Sequence, residues 1–230
     1  MNENKLISRR KVLHASLLVA PLLAAPRLAL AGRACMPTAP QSEGPFYPTG
    51  VFNERNNLIR PSDSRGAVTG ERIVVEGIVV EGIVVEGPVS GKECRPLSHA
   101  MVQIWQADHK GRYNHPGERG KAALDAYFHY WGQTITDGEG RYRFVTILPS
   151  PYKAGSNWTR PPHIHFRVLH GRGGVLTTQM YFPGHPLNEQ DYLFNNVPEA
   201  RRRGVVAVRV ADLKRKDSPV PQFRFDIGLG

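Results

Sequence analysis

Cysteine and long apolar runs are both scarce in this sequence, and each shortage excludes a class of protein. The 230 residues include only two cysteines, Cys35 and Cys94, which we expect to form one disulfide in an oxidising compartment rather than to bind metal. The apolar stretch of residues 17–25 is interrupted by Pro21 and falls short of the roughly 20 residues of a membrane span. No shift in composition marks a second domain. We therefore expect one domain without a stable membrane anchor.

A basic stripe of the kind found in nucleic-acid-binding proteins is also missing, although the formal net charge is +10. Without residues 1–31, 25 basic and 19 acidic residues remain, which is a net charge of +6. Dense basic clusters occur at residues 201–203 and 214–216, which we interpret as solvated loops rather than as the basic stripe of a nucleic-acid-binding protein. The sequence therefore predicts no nucleic-acid partner, and its modest positive field would attract small anionic substrates such as aromatic carboxylates.

Residues 1–31 differ in kind from the rest of the chain and predict a signal peptide. Two adjacent arginines at positions 9 and 10 precede the apolar stretch, and a small-x-small cleavage signal ends at residue 31. The paired arginines indicate a twin-arginine-type signal and a periplasmic location, with an ordinary secretory signal as the alternative. Residues 32–230 would then form the mature domain.

Glycine and proline divide the rest of the chain into short segments that predict β-strands. There are 23 glycines and 19 prolines, and between them polar and apolar residues alternate. Candidate strands lie at residues 101–106, 127–135, 141–144, 163–169, 175–182, 206–210 and 222–227. Asp-Gly-Glu-Gly at residues 137–140 predicts a hairpin turn, and residues 188–196 are the best of few helix candidates. We predict an all-β protein, a β-sandwich of short antiparallel strands with long active-site loops and little helix.

One segment breaks this pattern, because Ile-Val-Val-Glu-Gly occurs three times in succession over residues 73–87. A strand repeats every two residues, so a five-residue unit sends each copy to the opposite face. We interpret the repeat as a tandem duplication in which about two copies loop or bulge out beside one native strand. The alternative is a longer strand at a sheet edge.

Two histidines and two tyrosines predict a metal site. His163 and His165 are two residues apart, so on a strand their side chains point to the same face. Tyr113 and Tyr152 lie in segments rich in turn residues, where side chains can be directed into a site. Iron(III) is a hard cation that suits phenolate oxygen, and imidazoles complete a site with room for further ligands. This residue set indicates an Fe(III) centre.

Four motifs in order together resemble the intradiol ring-cleavage dioxygenases, over about residues 44–182. They are Glu-Gly-Pro-Phe-Tyr at 43–47, Ala-Met-Val-Gln-Ile-Trp-Gln-Ala at 100–107 running into Gly-Arg-Tyr at 111–113, Arg-Pro-Pro-His-Ile-His at 160–165, and Gln-Met-Tyr-Phe at 179–182. The resemblance implies a catalytic domain with one non-haem Fe(III) per active site. It would cleave a catecholic ring between its two hydroxyls with O2, to give a cis,cis-muconate-type diacid.

The resemblance also implies roles for individual residues. Tyr113 and His163 would be equatorial iron ligands, and Tyr152 and His165 axial ones. Tyr152 would leave the metal when the aromatic diol binds, and could accept a proton from it.

Two further roles are implied beyond the metal ligands. Arg160 would stabilise negative charge developing on the ring, and Gln179 would form a hydrogen bond in the pocket. The chain departs from the family where Lys153 and Ala154 follow the axial tyrosine in place of the usual proline and tryptophan, so the substituted catechol accepted is left open. Without a long helical N-terminal region the chain fits the compact protocatechuate-like branch, whose members assemble, so we expect an oligomer of copies or with a related chain.

Two alternatives from other classes remain at this point. An exported β-sandwich copper or zinc metalloprotein also uses two histidines on one strand, but would want further histidines in place of the tyrosines. A non-enzymatic periplasmic binding domain would use the histidines for structure alone.

Overall fold

A computed structural model of the chain describes residues 36–85, 91–171, 174–215 and 218–230. The predicted signal peptide of residues 1–31 lies outside these residues, and so does Cys35. Cys94 is disulfide-bonded, and its pairing with Cys35 stays a prediction. No helix in the described ranges has the length and apolar character to cross a membrane.

The described residues form β-strands and a few helical turns. The strands, in chain order, are β1 Arg72–Val85, β2 Gly91–Pro96, β3 Met101–Trp105, β4 Trp131–Ile135, β5 Arg141–Ile147, β6 Tyr152–Gly155, β7 Trp158–Arg160, β8 His163–His170, β9 Gly174–Tyr181, β10 Val208–Arg215, β11 Ser218–Arg224 and β12 Ile227–Leu229. The helices are α1 Tyr192–Asn195 and α2 Glu199–Arg202, with 3-10 turns at Asn188–Gln190 and Arg203–Val205. The predicted all-β class with little helix is confirmed.

Two sheets stack around one core, as the sandwich prediction requires. One has six strands in the order β10-β11-β1-β12, with β2 and β5 also paired to β1, and the other has the order β4-β3-β8-β9. Alternate residues of both sheets meet between the layers, among them Phe144 of β5 and Ile164 and Phe166 of β8, all fully buried. Most pairings are antiparallel, but β1 runs parallel to both β11 and β12, so the larger sheet is mixed.

The predicted looping of the repeat is wrong within the described residues. The first two copies and residues 83–85 of the third form the single strand β1, and residues 86 and 87 lie outside the described range. Nor is β1 an edge strand, because β5 and β11 flank its first half, and β2 and β12 its second half. The change of partners lets both halves be buried, with Val75 and Val79 in the main core.

The predicted hairpin at residues 137–140 is also corrected. The turn itself is present, with the Gly140 amide donating to the Asp137 carbonyl at 3.0 Å. The strands on either side belong to different sheets, however, since β4 pairs with β3 and β5 pairs with β1. The turn therefore carries the chain from one layer to the other.

Candidate metal centre

Strand β8 places His163 and His165 on one face, with their Nε2 atoms 3.2 Å apart. Both imidazoles are buried, and Ile164 between them points into the core. The Nδ1 of His163 donates to the Pro161 carbonyl at 2.7 Å. A neutral ring that donates from Nδ1 has a bare lone pair at Nε2, so this contact aims the donor atom of His163 into the site.

A compact loop after β3 brings Tyr113 to the histidines. The buried carboxylate of Asp108 organises this loop, because its Oδ1 accepts from the backbone amides of Lys110 and Arg112 at 2.8 and 3.0 Å. Gly111 has a φ of +76°, and a Cβ there would lie 2.7 Å from the Pro151 carbonyl oxygen. The glycine therefore permits both the left-handed turn and the close approach of the neighbouring segment.

That neighbouring segment carries Tyr152 on a short ribbon made by β6 and β7. Tyr152 and Arg160 are directly opposed in the register of these two strands, so their side chains are neighbours. The ring of Tyr152 lies 5.5 Å from that of Tyr113 and 5.8 Å from that of His163, centroid to centroid. The structure thus brings all four predicted ligand side chains into one cluster.

Three donor atoms in this cluster form a closed triangle. The hydroxyl of Tyr113 lies 3.2 Å from Nε2 of His163 and 3.2 Å from Nε2 of His165, and the two nitrogens are separated by the same distance. A point equidistant from all three would lie about 1.85 Å from each in their plane, close to the roughly 2.0–2.1 Å of a metal–imidazole bond. The arrangement fits a metal cation at its centre.

Burial shifts the pKa values of all four side chains in this cluster. Burial raises the pKa of Tyr113 well above its usual value, and the neighbouring Tyr152 adds to the shift. Burial also raises the pKa of Tyr152, against the opposing charge of Arg160. Burial and then the charge of Arg160 lower the pKa of His163 and of His165 well below their usual value. The imidazoles are therefore neutral donors, and phenolates here would need a compensating positive charge.

Phenol oxygens complete the donor set of this cluster. In the described ranges, no group of three or more His, Cys, Asp or Glu side chains is placed to hold a metal ion. The cluster of Tyr113, Tyr152, His163 and His165 thus depends on two phenol oxygens, which are hard donors that suit a hard cation.

A cleft of about 620 Å³ opens onto this cluster, within the range of about 300–1,000 Å³ common for small-molecule sites. Tyr152, Arg160 and His165 contribute to its inner wall, and Phe46 and Trp158 supply flat apolar surface. The cleft therefore combines apolar aromatic surface with the donor atoms of the cluster.

Gln179 lies behind Arg160 rather than at the cleft surface. Its Oε1 accepts from Arg160 Nη2 at 2.6 Å, and its Nε2 donates to the Ser42 carbonyl at 2.8 Å. Both polar groups therefore have protein partners, and the predicted contact of Gln179 in the pocket stays a prediction. Gln179 also lies opposite His165 in the β8–β9 register, so it belongs to the structure that supports the candidate metal centre.

Sequence reasoning missed residues that hold the site together. Asp108 shapes the loop of Tyr113, Asp191 pairs with Arg160 at 2.9 Å, and Trp105 stacks on His165 with ring centroids 4.8 Å apart. Asp108 could have been found from the turn-forming Asp at the start of its loop. The pairing of Asp191 had no local signal, because its partner lies 31 residues earlier.

The sequence is similar to those of known proteins. The sequence model of a family described as Dioxygenase matches residues 42–229. The chain is 42% identical to the protocatechuate 3,4-dioxygenase beta chain of Burkholderia cepacia, over 76% of this chain and 71% of that protein. It is 32% identical to catechol 1,2-dioxygenase 2 of Acinetobacter lwoffii, over 75% of this chain and 60% of that protein.

Solved structures show the same fold. Catechol 1,2-dioxygenase from Acinetobacter sp. ADP1 superposes with a TM-score of 0.63 at 25% identity, covering 84% of this chain and 62% of that one. The dioxygenase domain of a carbohydrate-binding fusion from Streptomyces sp. SirexAA-E gives a TM-score of 0.58 at 27% identity, covering 84% of this chain and 98% of that one.

Proposed function

The chain belongs to the intradiol dioxygenase family, and from that premise we propose that it opens a catecholic ring between its two hydroxyls. Both atoms of O2 would enter the product, a cis,cis-muconate-type diacid, so that no further reductant is needed. The observation that carries the proposal is the closed triangle of donor atoms from Tyr113, His163 and His165, with Tyr152 beside it at the cleft. The copper or zinc protein and the non-enzymatic binding domain are not favoured.

Tyr113, Tyr152, His163 and His165 would hold one Fe(III) ion. Bound there, ferric iron would supply the Lewis acidity that activates the diol toward dioxygen. Tyr113, His163 and His165 are buried, whereas Tyr152 is only partly so and lines the cleft. Tyr152 would therefore be the side chain best placed to make room for an entering diol and to accept a proton on its phenol oxygen.

Arg160 would stabilise negative charge on the substrate ring. Its guanidinium is buried and lines the cleft, and a fixed cation in a water-poor site favours a transition state in which anionic charge develops. The apolar walls at Phe46 and Trp158 would hold the ring flat and limit access of water.

The outer part of the cleft favours substrates that carry a negative charge. Lys110, Lys121 and Lys153 line it, and none of their ammonium groups has a salt-bridge partner among the residues the structure describes. Arg112 at the same rim is neutralised by Glu118 at 2.5 Å. We therefore propose a catechol with a ring carboxylate, such as protocatechuate, as the preferred substrate.

The test is to load the purified protein with iron and to measure colour and turnover. We expect a red-brown protein from tyrosinate-to-iron charge transfer, and O2 uptake with protocatechuate that exceeds uptake with catechol or hydroxyquinol. Tyr152→Phe should shift the absorption band and slow turnover, whereas Tyr127→Phe, which alters a tyrosine paired with Asp63 outside the site, should do neither. A colourless protein with stoichiometric zinc, or no consumption of any catechol, would refute the proposal.

We also propose that the protein is exported and that it assembles into an oligomer. The paired arginines at positions 9 and 10 support twin-arginine export, so replacing both by lysine should leave the protein in the cytoplasmic fraction. The similarity to a beta chain supports assembly from copies or from related chains, and a molar mass of one chain in solution would contradict it.

A further inference from the structure

Asp191 is a fully buried carboxylate that no role in the proposed reaction yet accounts for. It lies at the start of α1. Its Oδ1 accepts from Nε of Arg160 and from Nε1 of Trp158, each at 2.9 Å. Its Oδ2 accepts from Nη2 of Arg160 at 3.3 Å, from the Tyr181 hydroxyl at 3.2 Å and from the Phe194 amide at 3.1 Å. The carboxylate thus has five donors around two oxygens.

These contacts fix the plane of the Arg160 guanidinium. Nε and Nη2 both bind the carboxylate of Asp191, and Nη2 also donates to Gln179 Oε1. A guanidinium held along one edge by a carboxylate keeps a single orientation, because rotation would break two charge-assisted hydrogen bonds at once. Tyr152 is the residue opposite Arg160 across the β6–β7 ribbon, so the orientation that Asp191 fixes also sets how the guanidinium lies relative to this tyrosine.

The same carboxylate also joins two parts of the cleft wall. Trp158, which Asp191 holds by its indole N–H, lines the cleft, and so does Leu193 in the first turn of α1. Tyr192 of the same turn packs on Trp158 with ring centroids 5.4 Å apart. A shift of Asp191 would therefore move Arg160 and the wall of the cleft together.

We propose that Asp191 is a positioning residue for Arg160, setting the direction in which the guanidinium meets negative charge on the bound ring. The inference rests on the proposed function of Arg160 and extends it to a residue that touches neither the metal ligands nor the substrate cleft. The competing explanation is structural, since the Phe194 amide bond also makes Asp191 the N-cap of α1.

Two substitutions separate these explanations. Serine is a good N-cap but cannot bind a guanidinium along its edge, so Asp191→Ser keeps the cap and loses the pairing. Asp191→Asn keeps the size and removes the charge. We expect both variants to retain iron and the charge-transfer band, with kcat and kcat/KM lowered together by about 10- to 100-fold, as for misplacement of a group that acts in the transition state. Tyr181→Phe, which removes one neutral hydroxyl that contacts both Asp191 and Arg160 but leaves their charge pairing in place, should lower kcat by less than about threefold.

A double-mutant cycle tests whether Asp191 acts through Arg160. In an Arg160→Ala background, which we expect to be coloured but slow, Asp191→Asn should change kcat by less than about twofold. Equal loss in both backgrounds would overturn the inference.

Thermal unfolding gives a readout that needs no turnover. Arg160→Ala leaves a buried carboxylate without its cation, so the melting temperature should fall by about 10 °C, and Asp191→Asn added to it should restore part of that loss. An Asp191→Asn effect of the same sign and size in both backgrounds would refute the pairing. Failure of the proposed function would instead appear in the unmodified protein, as an absence of O2 uptake.

Discussion

Three of the four rings of the candidate metal centre are held by a neighbouring group, one through a hydrogen bond and two through ring stacking. The Pro161 carbonyl holds His163, and Trp105 stacks on His165 with an angle of 9° between the rings. Phe46 stacks on Tyr113, with ring centroids 4.8 Å apart. Because these partners restrict ring rotation, the donor atoms are preorganised for a cation, and little ordering remains to be done on binding.

The close approach at Gly111 gives a prediction for a single residue. Gly111→Ala places a methyl group 2.7 Å from the Pro151 carbonyl oxygen and 2.9 Å from Cβ of Tyr152, at a positive φ. The two segments that carry Tyr113 and Tyr152 must then separate, so we expect iron content and charge-transfer absorbance to fall severalfold, at a cost in stability of about 1–3 kcal/mol. Metal analysis and visible absorption of the purified variant measure this.

Gly138→Ala is the matched control, because a Cβ at Gly138 would meet no atom within 4 Å. It should retain wild-type iron content and melting temperature. If Gly111→Ala also bound a full complement of iron with an unshifted absorption band, the spacing of the two tyrosine segments would not depend on Gly111.

Among the elements, β1 does the most to connect the sheet. It pairs with β5 and β11 up to residue 78 and with β12 and β2 from residue 79 onward, and the exchange of partners occurs where β11 ends and β12 begins. Gly77 lies at this point, and a side chain there would collide with the Phe225 carbonyl. The repeat supplies the glycine needed for the close approach and, in its second copy, the valines that continue the strand.

Deletion of repeat copies tests this interpretation of β1. Because the copies are identical, removal of one leaves the sequence of residues 73–82 unchanged, including the buried Val79 and Val80. We expect such a variant to fold and to lose only a few degrees of melting temperature. Removal of two copies would bring Pro88 to the position of Ile78, in the middle of paired strands, where proline cannot donate a ladder hydrogen bond.

The two-copy deletion should therefore fail to fold, as judged by circular dichroism and soluble yield. A stable, active protein lacking two copies would show that the second half of β1 is dispensable, in agreement with a looped-out duplication. The sequence pattern favoured the looped-out duplication, because it shows on which face each residue of one strand lies. It does not show that the strand changes its partners halfway along.

At the scale of the whole molecule, the outer cleft carries positive charge that no acidic side chain among the described residues neutralises. The buried pair of Arg160 with Asp191 and the rim pair of Arg112 with Glu118 are internally compensated. The lysines of the outer cleft add positive charge that acts through solvent, which attracts anions over a distance set by ionic strength.

This charge predicts a salt dependence that differs between substrates. Between about 0.05 and 1 M NaCl the Debye length falls severalfold, to about 3 Å, so the KM for protocatechuate should rise severalfold while the KM for uncharged catechol stays nearly constant. Lys153→Gln should reduce the difference. Arg141→Gln, an exposed substitution on β5 of the six-stranded sheet and outside the cleft, should leave the difference between the substrates unchanged. Equal salt effects on both substrates would exclude electrostatic selection at the cleft.

Much of the fold and the core of the candidate site followed from the sequence alone. Alternation along short segments located most strands, and the two-residue spacing of His163 and His165 placed both on one face of β8. Such features depend on neighbours in the chain, where backbone geometry dictates which side chains share a face. The tyrosines in turn-rich segments were likewise recognisable before any tertiary contact was known.

Tertiary structure alone decided how distant segments meet. It gave β1 parallel partners from the C-terminal end of the chain, brought Tyr113 within 3.2 Å of both histidines, and set Asp191 against Arg160. Local patterns hold no information on these pairings, because they depend on which loops close and on the need of each buried charge for a partner wherever it lies in the chain. The residue types of the site were therefore set by the sequence, and their common centre was set by folding.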